Sequence, residues 1–187
     1  MTRLSGCFAR EDINTRFLRV DQDLPEKSLT TMLITSIGQG KVAAVQLLLE
    51  RNADPCLQDS NGHSPLMEAV MQRQAREHGR SQGGCVVVDL LIKNIVDVER
   101  LNDVYPASGE TAFHSACKHG HYNAVRALQQ ADCDTTLRDI NSEMGFDHLG
   151  TRLVHAAHKS LSEEVSLLLD LGADPNPDPA KRTTRHC

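Results

Sequence analysis

Residues Gly109 to Asp139, GETAFHSACKHGHYNAVRALQQADCDTTLRD, read as two short helices followed by a polar hairpin. Thr111 opens the first helix, Phe113, Ala116 and Cys117 share one of its faces, and Gly120 ends it. The second helix turns Ala124, Val125, Ala127 and Leu128 inward and keeps Asn123 and Arg126 on a polar outer side. Ala131-Asp-Cys-Asp supplies turn residues, and Thr135 to Asp139 starts an extended arm. A unit this small cannot bury its apolar face alone, so the stretch predicts stacked copies of itself.

Three further copies can be read. The first pairs Thr31-Met-Leu-Ile-Thr-Ser-Ile-Gly with Ala44-Val-Gln-Leu-Leu-Leu-Glu, then turns through Asn52-Ala-Asp-Pro and Asp59-Ser-Asn-Gly. The second opens at Ser64-Pro-Leu-Met-Glu-Ala-Val, with Pro65 in a first turn where its missing N–H costs nothing. Its second helix is Val86-Val-Val-Asp-Leu-Leu-Ile-Lys. The fourth is read at Thr151-Arg-Leu-Val-His-Ala-Ala, then Glu164-Val-Ser-Leu-Leu-Leu and Leu171-Gly-Ala-Asp-Pro-Asn. The opening Thr or Ser at 31, 64, 111 and 151 gives spacings of 33, 47 and 40.

Thr111-Ala-Phe-His-Ser-Ala, His63-Ser-Pro-Leu-Met-Glu-Ala and the Leu-Leu-Leu…Gly-Ala-Asp-Pro-Asn ending at 176 resemble ankyrin repeats, whose unit of about 33 residues opens T-P-L-H-x-A. The resemblance spans residues 28 to 178, and no copy carries the full tetrad. The rival 34-residue helical repeat lacks its W-L-G-Y signature here. The resemblance implies an all-α solenoid divided at 28–60, 61–107, 108–147 and 148–180. A capping segment, 1–27, precedes it, and residues 181–187 are expected to be a disordered tail. Ile13, Phe17, Leu18 and Val20 predict one short helix in the cap, ended near Leu24-Pro25.

Register counts locate three enlargements. Val70 to Val88 is 18 residues against 8 for Ile37 to Val45, placing 10 extra residues at Met71 to Arg80. Ile92 to Thr111 is 19 against 15 for Leu49 to Ser64, adding 4 to the second hairpin. Gln129 to Thr151 is 22, adding 7 to the third. Long connections in a solenoid often carry binding, and they also tolerate drift.

Composition narrows the function classes. With no Trp, two Tyr and four Phe, packing must rest on Ala, Val, Leu and Ile, which suits thin helical layers. A net charge of −5 without clustered Lys or Arg argues against nucleic acid as the main partner. The first 25 residues have no apolar core, so no secretory signal is expected, and Cys85 to Ile92 is too short to span a bilayer. Six cysteines without paired spacing point to free thiols in a reducing cytoplasmic or nuclear compartment.

Chemistry-bearing groups are present but do not converge in sequence. Cys117-Lys-His-Gly-His121 could supply metal ligands, yet a closed zinc site needs four, and the resemblance gives Cys117 to the core and His121 to helix-end bonding. His155 and His158, three apart on one helix, with His148 in the preceding loop, are read as contact residues before ligands. The arginines at 73, 76 and 80 read as a solvated helix end or a docking loop. No nucleophile, phosphate-binding or dinucleotide motif occurs, so no enzyme, cofactor or metal is expected.

The resemblance therefore implies a non-catalytic module that binds another protein through hairpin tips and first-helix ends. Transferred by position, the contact residues are Ser60, Asn61, His63, Met71 and Gln72 in the second repeat. They are Ser108, Glu110, Lys118 and His119 in the third, and Asp147, His148, His158 and Lys159 in the fourth. The enlarged hairpins add Asp103, Tyr105 and Glu143, and Tyr105, Met71 and His119 are the expected anchors. The expected role is scaffold or adaptor, as a monomer or as part of a larger chain and without membrane contact. A regulator that inhibits an enzyme or transcription factor is the alternative, and a metal- or redox-responsive protein the third.

Overall fold

Two rows of short helices lie side by side, and the turns at Gly40, Gly120 and Ser160 between them are built the same way. The computed structural model describes residues 16–19, 28–71 and 83–176. First helices α1 (Met32–Gly38), α3 (Pro65–Met71), α5 (Ala112–His119) and α7 (Gly145–His158) form one row, each packed on the next. Second helices α2 (Val42–Glu50), α4 (Gly83–Asn94) and α6 (Tyr122–Gln130) form the other, and α8 (Ser162–Asp170) closes the last pair against α7. A short 3-10 helix, Val98–Asn102, lies in the second hairpin. The architecture is an all-α repeat solenoid.

The turns repeat because the same backbone problem recurs. Just past α1, α5 and α7 the chain reverses direction in the left-handed region, at Gly40 (φ 65°), Gly120 (φ 73°) and Ser160 (φ 55°). Lys41, His121 and Leu161 then donate back to the carbonyls of Ser36, Ala116 and Ala156, satisfying helix-end acceptors. After the second helices, Asn52, Asp132 and Gly172 take positive φ, and Ala53, Cys133 and Ala173 donate to Leu48, Leu128 and Leu168. Asn, Asp and Gly tolerate this conformation, so turn chemistry keeps the period.

One continuous core runs through the stack. Leu33, Ile37, Val45, Leu66, Val70, Leu91, Phe113, Val125, Leu128, Leu149 and Leu168 are all buried within it. Small residues let the rows approach: Ala116 and Cys117 are wholly inaccessible, and a Cβ on Gly145 would come within 2.5 Å of the Phe113 ring.

Two expectations are corrected here. Arg16–Arg19 is a strand (β1) rather than part of a helix, paired antiparallel with Ser28–Thr31 (β2), Phe17 facing Thr30 in register. Pairing with a neighbour satisfies the backbone of a four-residue segment, which an isolated helix so short cannot do. Ile13 and Val20 lie outside the described residues. The second correction concerns Thr151, which does not open the fourth repeat but sits inside α7, so the boundary at 147/148 also falls within this helix. Thr111 to Met144 is 144 − 111 = 33 residues, whereas His121 to Leu161 is 161 − 121 = 40. The seven extra residues therefore lengthen α7, not the third hairpin. Seven residues make about two helical turns, so the buried face of α7 keeps its direction through the insertion.

Candidate functional site: the hairpin edge and the first helices

Each hairpin is folded by one residue at its base. Asp59 Oδ1 accepts the N–H groups of Asn61 and His63, both at 2.8 Å. Asp139 repeats this with Asn141 and Glu143, at 2.8 and 2.9 Å. Burial pushes the Asp59 carboxyl up, but the His63 ring and these N–H donors outweigh it and hold the group below its ordinary value. For Asp139 burial is likewise outweighed, by the Glu143 and Asn141 donors. The middle hairpin uses no carboxylate; Tyr105 N donates to Glu110 O, and Gly109 N returns to Tyr105 O.

Neighbouring tips are fastened together. The His63 and Tyr105 rings stack with centroids 4.3 Å apart. A Cβ on Gly62 would lie 2.6 Å from Pro106, and Ile140 N donates to Ser108 O at 3.1 Å. The three tips thus form one edge that exposes Ser60, Asn61, Pro106, Ala107, Ile140 and Asn141. At its base, Asn102 Oδ1 accepts Asp134 N, joining the 3-10 helix to the third hairpin.

The sequence-predicted contact residues fall into distinct places. Ser60 and Asn61 are exposed at the first tip, and His63 and Tyr105 are half-buried against one another. Ser108 accepts Glu110 N through its hydroxyl, and Glu110 holds the Lys118 ammonium at the exposed end of α5. His119 is half-buried, and burial, with Lys118 beside it, pushes its imidazole down. Asp103 is mostly covered; burial pushes its carboxyl up, with Arg100 at 3.9 Å in partial compensation. Met71 is 40% exposed at the end of α3, while Gln72 and the rest of the insertion to Arg80 lie outside the described residues. His158 and Lys159 are exposed at the far end of α7.

His148 needs correction. It stands on the first turn of α7 rather than in a loop, and only 4% of it is exposed. Its Nδ1 lies 3.8 Å from Glu143 Oε2, and Asp147 beside it accepts Met144 N at 2.8 Å. Asp139, Glu143 and His148 converge from hairpin and helix, whereas His155 and His158 point out along α7.

Some surface features were not foreseen from the sequence. Val96 is 97% exposed, Ile140 68%, and Val98 and Val104 nearly half. Ile140 was findable, because it takes the tip position that Ser60 holds between Asp and Asn in the first hairpin. Also unforeseen is Arg152, on the lengthened helix. It crosses over Gly120, donates to the Tyr122 hydroxyl at 3.0 Å and lies 3.6 Å from Glu164, locking the third repeat to the fourth.

The described geometry defines a class: a helical-repeat solenoid with one continuous edge of hairpins. The family model for ankyrin repeats (3 copies) matches residues 78–179. The chain belongs to the ankyrin-repeat family. Among solved structures it is similar to the crystal structure of the ankyrin repeat domain of Bcl-3, described as a unique member of the IkappaB protein family. The identity is 29%, the TM-score 0.52, and the match covers 63% of this chain and 46% of that one. The chain thus corresponds to less than half the length of that domain. Among curated protein sequences, none matches significantly. The family and this likeness identify a protein-interaction module. Among the described residues no helix is long and apolar enough to cross a membrane.

Proposed function

We propose that the chain is a non-catalytic scaffold or adaptor that grips a partner protein along the hairpin edge and the adjoining first-helix ends. The observation that carries this reading is the fastening of the tips: the His63–Tyr105 stack and the Ile140–Ser108 hydrogen bond hold three tips as one surface. A surface ordered beforehand spares the complex much of the entropy cost of fixing loops. Ile140, exposed and apolar at a tip, is the natural anchor, and Ser60, Asn61 and Asn141 supply polar contacts around it.

The regulator reading uses the same surface and differs in having one tight partner in place of several. Affinity capture with mass spectrometry, comparing the wild type with I140S and with a combined M71A/H119A variant, tests the proposal. The tip variant is expected to lose the captured proteins. Retention of every captured protein by both variants would refute binding at this edge.

A further inference from the structure

We propose that Asp139, Glu143 and His148 form a binding site for one divalent metal ion of the zinc class. Equivalent hairpins differ at one position. In the first, the residue four after the turn-forming aspartate is His63, whose Nδ1 lies 3.7 Å from Asp59 Oδ2, a base facing an acid. In the third, that position holds Glu143, so a second carboxylate stands where the first hairpin has an imidazole.

The fold then brings His148 up from α7, its Nδ1 3.8 Å from Glu143 Oε2. One oxygen of each carboxylate and one ring nitrogen of His148 all lie within 4.8 Å of one another. A tetrahedral ion about 2.0–2.2 Å from each ligand holds its ligands roughly 3.4 Å apart, so rotation of the Glu143 and His148 side chains closes the set while Asp139 keeps its turn bonds.

The chemistry fits the same class. Two ionised carboxylates and a neutral imidazole carry two negative charges, which one divalent cation cancels, and a mixed nitrogen–oxygen set suits zinc. Asp139 is 7% exposed and His148 4%, so the charges are sheltered, while Glu143, at 21%, opens the site to an outside ligand. His114 Nε2 holds the Glu143 carbonyl at 3.2 Å, bracing the hairpin against α5.

The test is a titration of the full chain with Co²⁺, read by its ligand-field absorption under reducing conditions, with Zn²⁺ as competitor. One equivalent is expected to bind without a thiolate charge-transfer band and to be displaced by Zn²⁺. Two variants keep the fold: E143Q, because the Glu143 backbone serves the hairpin, and D139N, because Asn forms the same turn. Each is expected to weaken binding by at least ~10-fold, while H155A/H158A leaves it unchanged. Absence of ligand-field bands, a thiolate band, or unchanged affinity in both E143Q and D139N would overturn the site.

Discussion

The imidazole of His63 lies flat on the ring of Tyr105, with 18° between their planes, and this contact joins two hairpins that share no covalent neighbour. Aromatic pairs of this kind contribute about 0.5–1.5 kcal/mol beyond the area they bury. Tyr105→Ala is therefore expected to lower stability by roughly 1–3 kcal/mol, and Tyr105→Phe by much less, because the stack uses the ring. Urea denaturation measures both. Equal losses in the two variants would assign the effect to the hydroxyl instead.

At the start of α5, the Thr111 hydroxyl accepts His114 N, and Thr111 N donates to His114 Nδ1 at 3.3 Å. With Nδ1 accepting, the ring hydrogen belongs on Nε2, which donates to Glu143 O. Nitrogen NMR of the ring is expected to show the hydrogen on Nε2. Thr111→Ala is expected to cost about 1 kcal/mol. His114→Ala should cost more, roughly 2–4 kcal/mol, since it leaves two backbone groups under-satisfied and a cavity in the stack.

Gly145 reverses an ordinary rule. Replacing a helical Gly by Ala normally stabilises by up to about 1 kcal/mol. Here the added methyl would sit 2.5 Å from the Phe113 ring, which Phe146 in turn backs edge-on at 5.5 Å. Gly145→Ala is expected to destabilise by about 1–3 kcal/mol. Thermal unfolding decides the sign.

The aspartates give a pH dependence of defined sign. Asp59 and Asp139 are held below their ordinary values, so their contribution is complete above about pH 4 and lost as pH falls through the lower folded-state values. Asp103 is raised, so its ionisation opposes folding as pH climbs past about 4. D59N and D139N should each flatten the acid side of the stability profile. D103N should raise the denaturation midpoint at pH 7 and leave it unchanged near pH 3. A midpoint series in urea across this range checks all three.

Burial pushes the Cys117 thiol far above its usual range, and the Cys133 thiol up to about 11, with Asp134 and Asp132 adding to the second. Both are expected to resist alkylation at neutral pH until the chain unfolds, and peptide mass spectrometry after timed labelling would show it.

Much of the fold was legible because a few residues announce it: Thr111 at a helix start, Gly120 at its end, and Asp59-Ser-Asn-Gly at a hairpin tip. The fourth repeat was misplaced for a physical reason. Its opening residue is Met144, a poor cap, and the task of the histidine in Thr-x-x-His passes to Asp147, whose carboxylate accepts the Met144 N–H. Thr151-Arg-Leu-Val-His-Ala imitates an opening seven residues later, and a two-turn insertion leaves the helical period intact, so periodicity could not expose the shift. The site was less legible. Exposed tip residues follow from their place in the hairpin, but the burial of His148 and its meeting with Asp139 and Glu143 depend on that missed register.

In the proposed mode of binding, a partner sits on the hairpin edge. A photo-crosslinking residue placed at Ile140 or Ala107 tests it directly, with Asn123 and Arg126 on the outer side of α6 as controls. Adducts with a partner protein are expected from positions 140 and 107 and not from 123 or 126. Adducts from the outer positions, with none from the tips, would contradict it.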